Sequence, residues 1–215
     1  MRIRSFILAY SLVLAILLFA DHRTKPSAQD HYSHVVDLTD APPASGGDTG
    51  AQSRTHIIAP DSLIPGTWTA SQIPPERLIA PLVVLEAKAS ADKVVQVTLD
   101  DIADWEKHNG AIPQGSIVAI RQAGNPSPTN SLPITAEAAQ FLMDARYTTG
   151  FALDGAPDFG SDRTLARQIA LHGNYVVEGA SRLASLPPTG SLIIVAPAKT
   201  KNLRKSPVRV LAMVR

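Results

Sequence analysis

Leu82-Val83-Val84-Leu85-Glu86-Ala87 is a short run rich in branched apolar residues, and it reads as a β-strand. The same character returns at His34-Val35-Val36-Asp37-Leu38, Ile117-Val118-Ala119-Ile120-Arg121, Leu192-Ile193-Ile194-Val195-Ala196 and Val208 to Val214. Between these runs the period changes. In Thr98 to Trp105, Leu99, Ile102 and Trp105 share one helical face, and Thr98 is placed to cap the first turn. A second helix is expected from Thr135, with Glu137 and Ala138 to Leu142 following, and a third from Arg163 to His172, stopped by Gly173. Strands alternating with helices predict a mixed α/β domain around a sizeable central sheet. Breaker-rich stretches at 41–50 and 124–133 are expected as loops, and no internal repeat is present.

The 215 residues suffice for one domain with a full apolar core. Twenty Lys and Arg face 19 Asp and Glu, so the clustered basic surface that phosphates demand is not expected, and nucleic acid is not an expected partner. Lys199, Lys201, Arg204 and Lys205 sit among Thr200, Asn202 and Ser206 and read as a solvated loop. The absence of cysteine excludes disulfides, thiolate ligands, a cysteine nucleophile and lipoprotein acylation. At the N-terminus, Arg2 and Arg4 precede an apolar run from Ser5 to Ala20 that Asp21, His22, Arg23 and Lys25 end abruptly, the build of a secretory signal over residues 1–20. As a helix the run spans about 24 Å, short of the ~30 Å hydrocarbon core, which favours cleavage. An uncleaved signal-anchor stays open, because Leu18-Phe19-Ala20 offers a small residue only at its last position. Residues 21–33 are polar and aperiodic and read as a tether; the folded domain is expected over 34–215. Export to the periplasm or the extracellular space follows. Anchoring at the inner membrane is the alternative, with membrane contact only through residues 3–20.

The segment Gln52-Ser53-Arg54-Thr55-His56-Ile57-Ile58-Ala59-Pro60-Asp61-Ser62 resembles the metal-binding loop of the cyclase family, which includes the bacterial kynurenine formamidases. That loop reads His-x-Gly-Thr-His-x-Asp-x-Pro-x-His, and Thr55, His56 and Pro60 match it. Val36-Asp37-Leu38-Thr39 resembles the family's opening strand, with Asp40 where a histidine is usual. Ile73-Pro74-Pro75-Glu76-Arg77-Leu78-Ile79-Ala80-Pro81-Leu82-Val83-Val84 follows Ile-Pro-Leu-Glu-x-Leu-Ile-Gly-Pro-Ala-Val-Val. Ile112-Pro113-Gln114-Gly115-Ser116-Ile117-Val118 resembles Ile-Pro-x-Gly-Asp-Ile-Val, and Val176-Val177-Glu178-Gly179-Ala180-Ser181-Arg182-Leu183 resembles Ile-Ile-Glu-Asn-Leu-x-Asn-Leu. Leu186 to Gly190 and Ser206 to Arg209 match the last turn and strand, so the resemblances run in order from Val35 to Val214.

This resemblance implies a swivelling β/β/α domain, assembled as a homodimer or larger homo-oligomer. It also implies metal-dependent hydrolysis of an amide or lactone-like bond, as in N-formylkynurenine deformylation in tryptophan catabolism. In the family two loop histidines and an aspartate bind zinc or manganese, and a further loop histidine with a C-terminal histidine and glutamate completes the site. Carried over, these positions fall on Gln52, His56, Ile58, Ser62, Ala166 and Glu178. Only His56, the retained metal-ligand position, and Glu178, the retained catalytic position, keep the family's residue type. Isoleucine and alanine donate nothing to a metal, and a glutamine carbonyl is a poor substitute for imidazole. Arg54 stands where the family has glycine, and its guanidinium is positioned by the resemblance to pair with Glu178 in the vacated volume. The expectation is therefore an exported pseudoenzyme that keeps the pocket for a small-molecule ligand or for assembly. No cofactor is expected unless the site is rebuilt for zinc or manganese. An active hydrolase with an altered or partner-completed site, and a membrane-tethered structural protein, are the alternatives.

Other chemistry-bearing residues read more plainly. Trp68, in the segment after the loop, is placed to stack on an aromatic ligand, whereas Trp105 fits a helix's apolar face. His31 and His34 are spaced three apart but fall in the tether and at a strand start, as surface histidines. His108 and His172 lie at helix ends, where they meet free carbonyls. Ser62, His56 and Asp61 contain the residue types of a hydrolytic triad, on one short loop without a nucleophile elbow. Asp154-Gly155-Ala156-Pro157-Asp158 resembles the family's Gly-Ile-Asp-x-x-Ser-x-Asp segment, which puts Asp154 at a strand end, accepting backbone N–H bonds or lining the pocket.

Overall fold

The computed structural model describes residues 32–40, 55–90, 93–94, 96–123, 132–155, 163–200 and 205–215. The leader and most of the tether, Gln52 and Arg54, and most of the two expected loops lie outside these residues. In chain order the elements are β1 (His34–Asp37), β2 (His56–Ile58), β3 (Ile79–Ala87), β4 (Ala89–Ser90), β5 (Lys93–Val94), α1 (Leu99–Asn109) and β6 (Ile117–Gln122). They continue as α2 (Ala136–Ala145), β7 (Gly150–Leu153), α3 (Thr164–Leu171), β8 (Tyr175–Glu178), β9 (Ser191–Pro197) and β10 (Lys205–Val214).

Eight strands form one sheet in the order β1-β10-β2-β8-β7-β6-β3-β9, and β9 also pairs β10. The ladder from β10 through β2 round to β9 therefore closes on itself. β3, β6, β7 and β8 run parallel, as helical crossovers require, and the remaining pairs are antiparallel. Because side chains alternate along a strand, the closed ladder divides the core in two. Leu82, Ile117, Tyr175, Val177, Ile193 and Val210 fill one face. Val83, Leu85, Val118, Ile120 and Val176 fill the other, under Ile102 of α1, Leu142 of α2 and Ile169 of α3. Packing between β7 and β8 leaves no spare room: a Cβ on Gly150 would stand 2.8 Å from the Tyr175 ring.

The helices start where their caps predict. Thr98 and Asp101 form a reciprocal capping box on α1, the Thr98 Oγ1 accepting from the Asp101 N–H at 3.2 Å and Asp101 Oδ2 accepting from the Thr98 N–H at 3.0 Å. Thr135 caps α2 by accepting from the Ala138 N–H. Glu106 at the end of α1 holds Arg146 in a two-pronged ion pair, both bonds 2.8 Å, which ties α1 to the residue that closes α2. Trp105 is half-buried in the helix-side core and donates its indole N–H to the Val84 carbonyl at 3.1 Å, as its face predicts. Among the described residues no helix is long and apolar enough to cross a membrane.

Candidate functional site

Residues 55 and 56 stand at the junction of three chain segments. Thr55 is fully buried; its hydroxyl donates to the Gly179 carbonyl at 2.7 Å and accepts from the Asp40 N–H at 2.7 Å. Its own carbonyl accepts from the Val208 N–H at 3.2 Å. That anchorage fixes β2, the three-residue strand that follows, against β8 in a register that places His56 directly opposite Glu178 and Ile58 opposite Val176. Directly opposed residues on antiparallel strands project to the same side. His56 Nδ1 accordingly lies 3.8 Å from Glu178 Oε1, with Glu178 only 4% exposed.

The side they share is the helix side. Ile58 and Val176, two residues along each strand, belong to the apolar cluster beneath the helices, and so does Ala166 in the first turns of α3, 2% exposed. The structure thus brings His56, Ile58, Ala166 and Glu178 to one face. Ser62 ends a 3-10 turn, Pro60–Ser62, that packs on α3. Asp61, next to it, accepts the Gly66 N–H at 2.8 Å and so shapes the following turn. Gln52 and Arg54 fall outside the described residues, and the Arg54 to Glu178 pairing with them.

Does this set suit a divalent ion? A hydrolytic metal needs several protein donors and one open position. At the five described family positions the side chains contribute one imidazole, one carboxylate and the Ser62 hydroxyl, while Ile58 and Ala166 present carbon within an apolar cluster. Among the described residues no three His, Asp or Glu converge. The donors described do not fit the family's metal.

Trp68 is placed elsewhere. Its indole lies over Gly173, where an added Cβ would be 3.3 Å from the ring, and 5.5 Å from the Arg77 guanidinium. Gly173 precedes β8 and Glu178 ends it, so at ~3.3 Å per residue the indole and the carboxylate are more than about 10 Å apart. His108 and His172 contact the Asp104 and Gln168 carbonyls of their own helix ends at 2.7 and 2.9 Å, and His34 is exposed at the start of β1. Asp154, just past β7, accepts the Gln122 N–H at 2.7 Å; burial raises its carboxyl pKa and that hydrogen bond opposes the rise.

Gln122, 6% exposed at the end of β6, is the residue sequence reasoning passed over. Its amide nitrogen lies 3.1 Å from where a Gly155 Cβ would be, so the side chain leans over the neighbouring strand on the face shared by Glu178. Its only sequence signal was its place one residue beyond a strand-like run.

The sequence model of the Cyclase family matches residues 20–157. Isatin hydrolase of Roseibium aggregatum is 26% identical over 191 residues, covering 77% of this chain and 72% of that protein. Among solved structures, isatin hydrolase A from Labrenzia aggregata bound to benzyl benzoate superposes with a TM-score of 0.68 at 24% identity, covering 96% of this chain and 99% of that one. A structure described as a potential metal-dependent hydrolase with cyclase activity superposes with a TM-score of 0.63 at 22% identity, covering 85% of this chain and 98% of that one.

Proposed function

The chain belongs to the Cyclase family, and on that premise we propose that it uses the family's pocket to bind a small molecule rather than to hydrolyse one through a bound metal. One observation carries this reading. Ile58, 7% exposed, and Ala166, 2% exposed, occupy two of the family's donor positions as part of the packed helix-side core, while His56 and Glu178 keep their polar pairing beside them. Apolar packing of this kind would have to be dismantled to admit a cation. In the same reading the protein is exported on the strength of Arg2, Arg4 and the apolar run to Ala20, and it acts as a homo-oligomer.

Elemental analysis of purified protein, combined with assays on isatin and N-formylkynurenine, tests the proposal. The expected result is zinc and manganese at well under one equivalent and no chelator-sensitive turnover. Stoichiometric metal with turnover that a chelator abolishes overturns it. That outcome would favour the second reading, an active metal-dependent hydrolase of cyclic or aryl amides, which the likeness to isatin hydrolase over three quarters of the chain supports.

A further inference from the structure

The opposite end of the parallel strands holds a second polar cluster that the pocket does not use. Arg77, just before β3, sends its Nη2 to the Asn174 Oδ1 at 2.6 Å, to the Gly173 carbonyl at 3.2 Å and to the Thr149 carbonyl at 3.4 Å. These acceptors lie at the starts of β7 and β8, so the guanidinium is held by two backbone carbonyls and a side-chain amide oxygen rather than balanced by charge. Among the described residues it has no carboxylate partner, Tyr175 being the one ionisable group that acts on it. A partly buried cation without a counter-charge is costly to keep.

Its neighbours leave donors unused as well. A guanidinium can only donate, so Asn174 must turn its carbonyl oxygen toward Arg77 and its NH₂ away. Asn174 is 2% exposed, and among the described residues neither its Nδ2 nor the Arg77 Nε has a hydrogen-bond partner. The two nitrogens belong to side chains joined at 2.6 Å, and the Trp68 indole, 37% exposed, lies 5.5 Å from the Arg77 guanidinium. The cluster offers two unused donors, a positive charge with no carboxylate partner among the described residues, and an aromatic ring beside it.

We propose that Arg77, Asn174 and Trp68 form a binding site for a carboxylate carried on a flat aromatic body. One carboxylate oxygen accepts from the Arg77 Nε–H, a charge-assisted bond, and the other accepts from the Asn174 Nδ2–H. The ring packs against the Trp68 indole, which moves off Gly173 to admit it. This site is separate from the His56 and Glu178 pocket and stands or falls without it.

Calorimetric titration of the full chain with benzoate, benzamide and acetate tests it. Benzoate is expected to bind and to change the Trp68 emission in a Trp105→Phe background. Benzamide keeps the shape and lacks the charge, and it is expected to bind about tenfold more weakly or worse; acetate, lacking the ring, is weaker too. Trp68→Ala removes an exposed ring and is expected to weaken benzoate at least about tenfold without loss of fold, whereas Glu178→Gln leaves benzoate binding unchanged. No heat with benzoate at millimolar concentration, equal binding of benzamide, or unaltered binding by Trp68→Ala overturns the proposal. Loss of binding in Glu178→Gln would overturn it differently, by placing benzoate in the first pocket.

Discussion

Thr55 shows what a single retained residue does in this site. Its hydroxyl is both donor and acceptor, joining Gly179 beyond β8 to Asp40 beyond β1 from a fully buried position. Thr55→Val keeps the shape and removes the hydroxyl that the Gly179 carbonyl and the Asp40 N–H both bond. The expected loss is about 2–4 kcal/mol, with Thr55→Ser recovering most of it. Urea denaturation measures both, and a valine variant within about 0.5 kcal/mol of wild type would mean that Thr55 is not the latch. At this scale the sequence was partly legible. That Ile58 and Ala166 lack donors needs only their identity, but the meeting of His56 with Glu178 rests on strand register, which local pattern does not carry. The Arg77 to Asn174 bond was invisible for the same reason, spanning 97 positions. An arginine in a turn before a strand ordinarily reads as solvated.

Helices were more legible than strands, because a cap and a face are local signals. Thr98, Thr135 and Gly173 marked ends that the structure keeps to within a residue or two. β2 has three residues and β7 and β8 four each, too few for a period to emerge, and β7 and β8 are buried on both faces. The Thr98 cap also makes a pH prediction. Hydrogen bonds with the Thr98 side chain and backbone lower the Asp101 carboxyl pKa; burial opposes them, and Lys88 adds a smaller lowering. A depressed folded-state pKa means stability that is present above the unfolded value, near 3.9, and lost as pH falls through the lower folded value. Asp101→Ala is therefore expected to cost about 1 kcal/mol at pH 7, and the difference from wild type to shrink steadily below about pH 4. Chemical denaturation of both proteins at pH 7 and at pH 3 checks the sign. A difference that grows on acidification would show that Asp101 gains its stability from another source.

Across the whole molecule, the closed ladder separates two chemistries at opposite ends of the same parallel strands. His56, Glu178 and Gln122 lie where β8 and β6 end, and Arg77, Asn174 and Trp68 where β3 and β8 begin. The two clusters share strands but no described side chain, so each can change without dismantling the other. The ladder also joins the two ends of the segment from Tyr32 to Arg215. The Ser33 N–H donates to the Val214 carbonyl at 2.7 Å, the Arg215 guanidinium lies 5.9 Å from the Tyr32 ring, and β1 continues along β10 from there. A chain beginning at Tyr32 is accordingly expected to unfold in one cooperative urea transition, with a slope of about 2 kcal/mol per M, in keeping with a single domain of this size. A shallow or biphasic transition, with near-ultraviolet dichroism lost before the far-ultraviolet signal, would show that the closed ladder does not unfold as one unit and that the two ends of the sheet have separate stabilities.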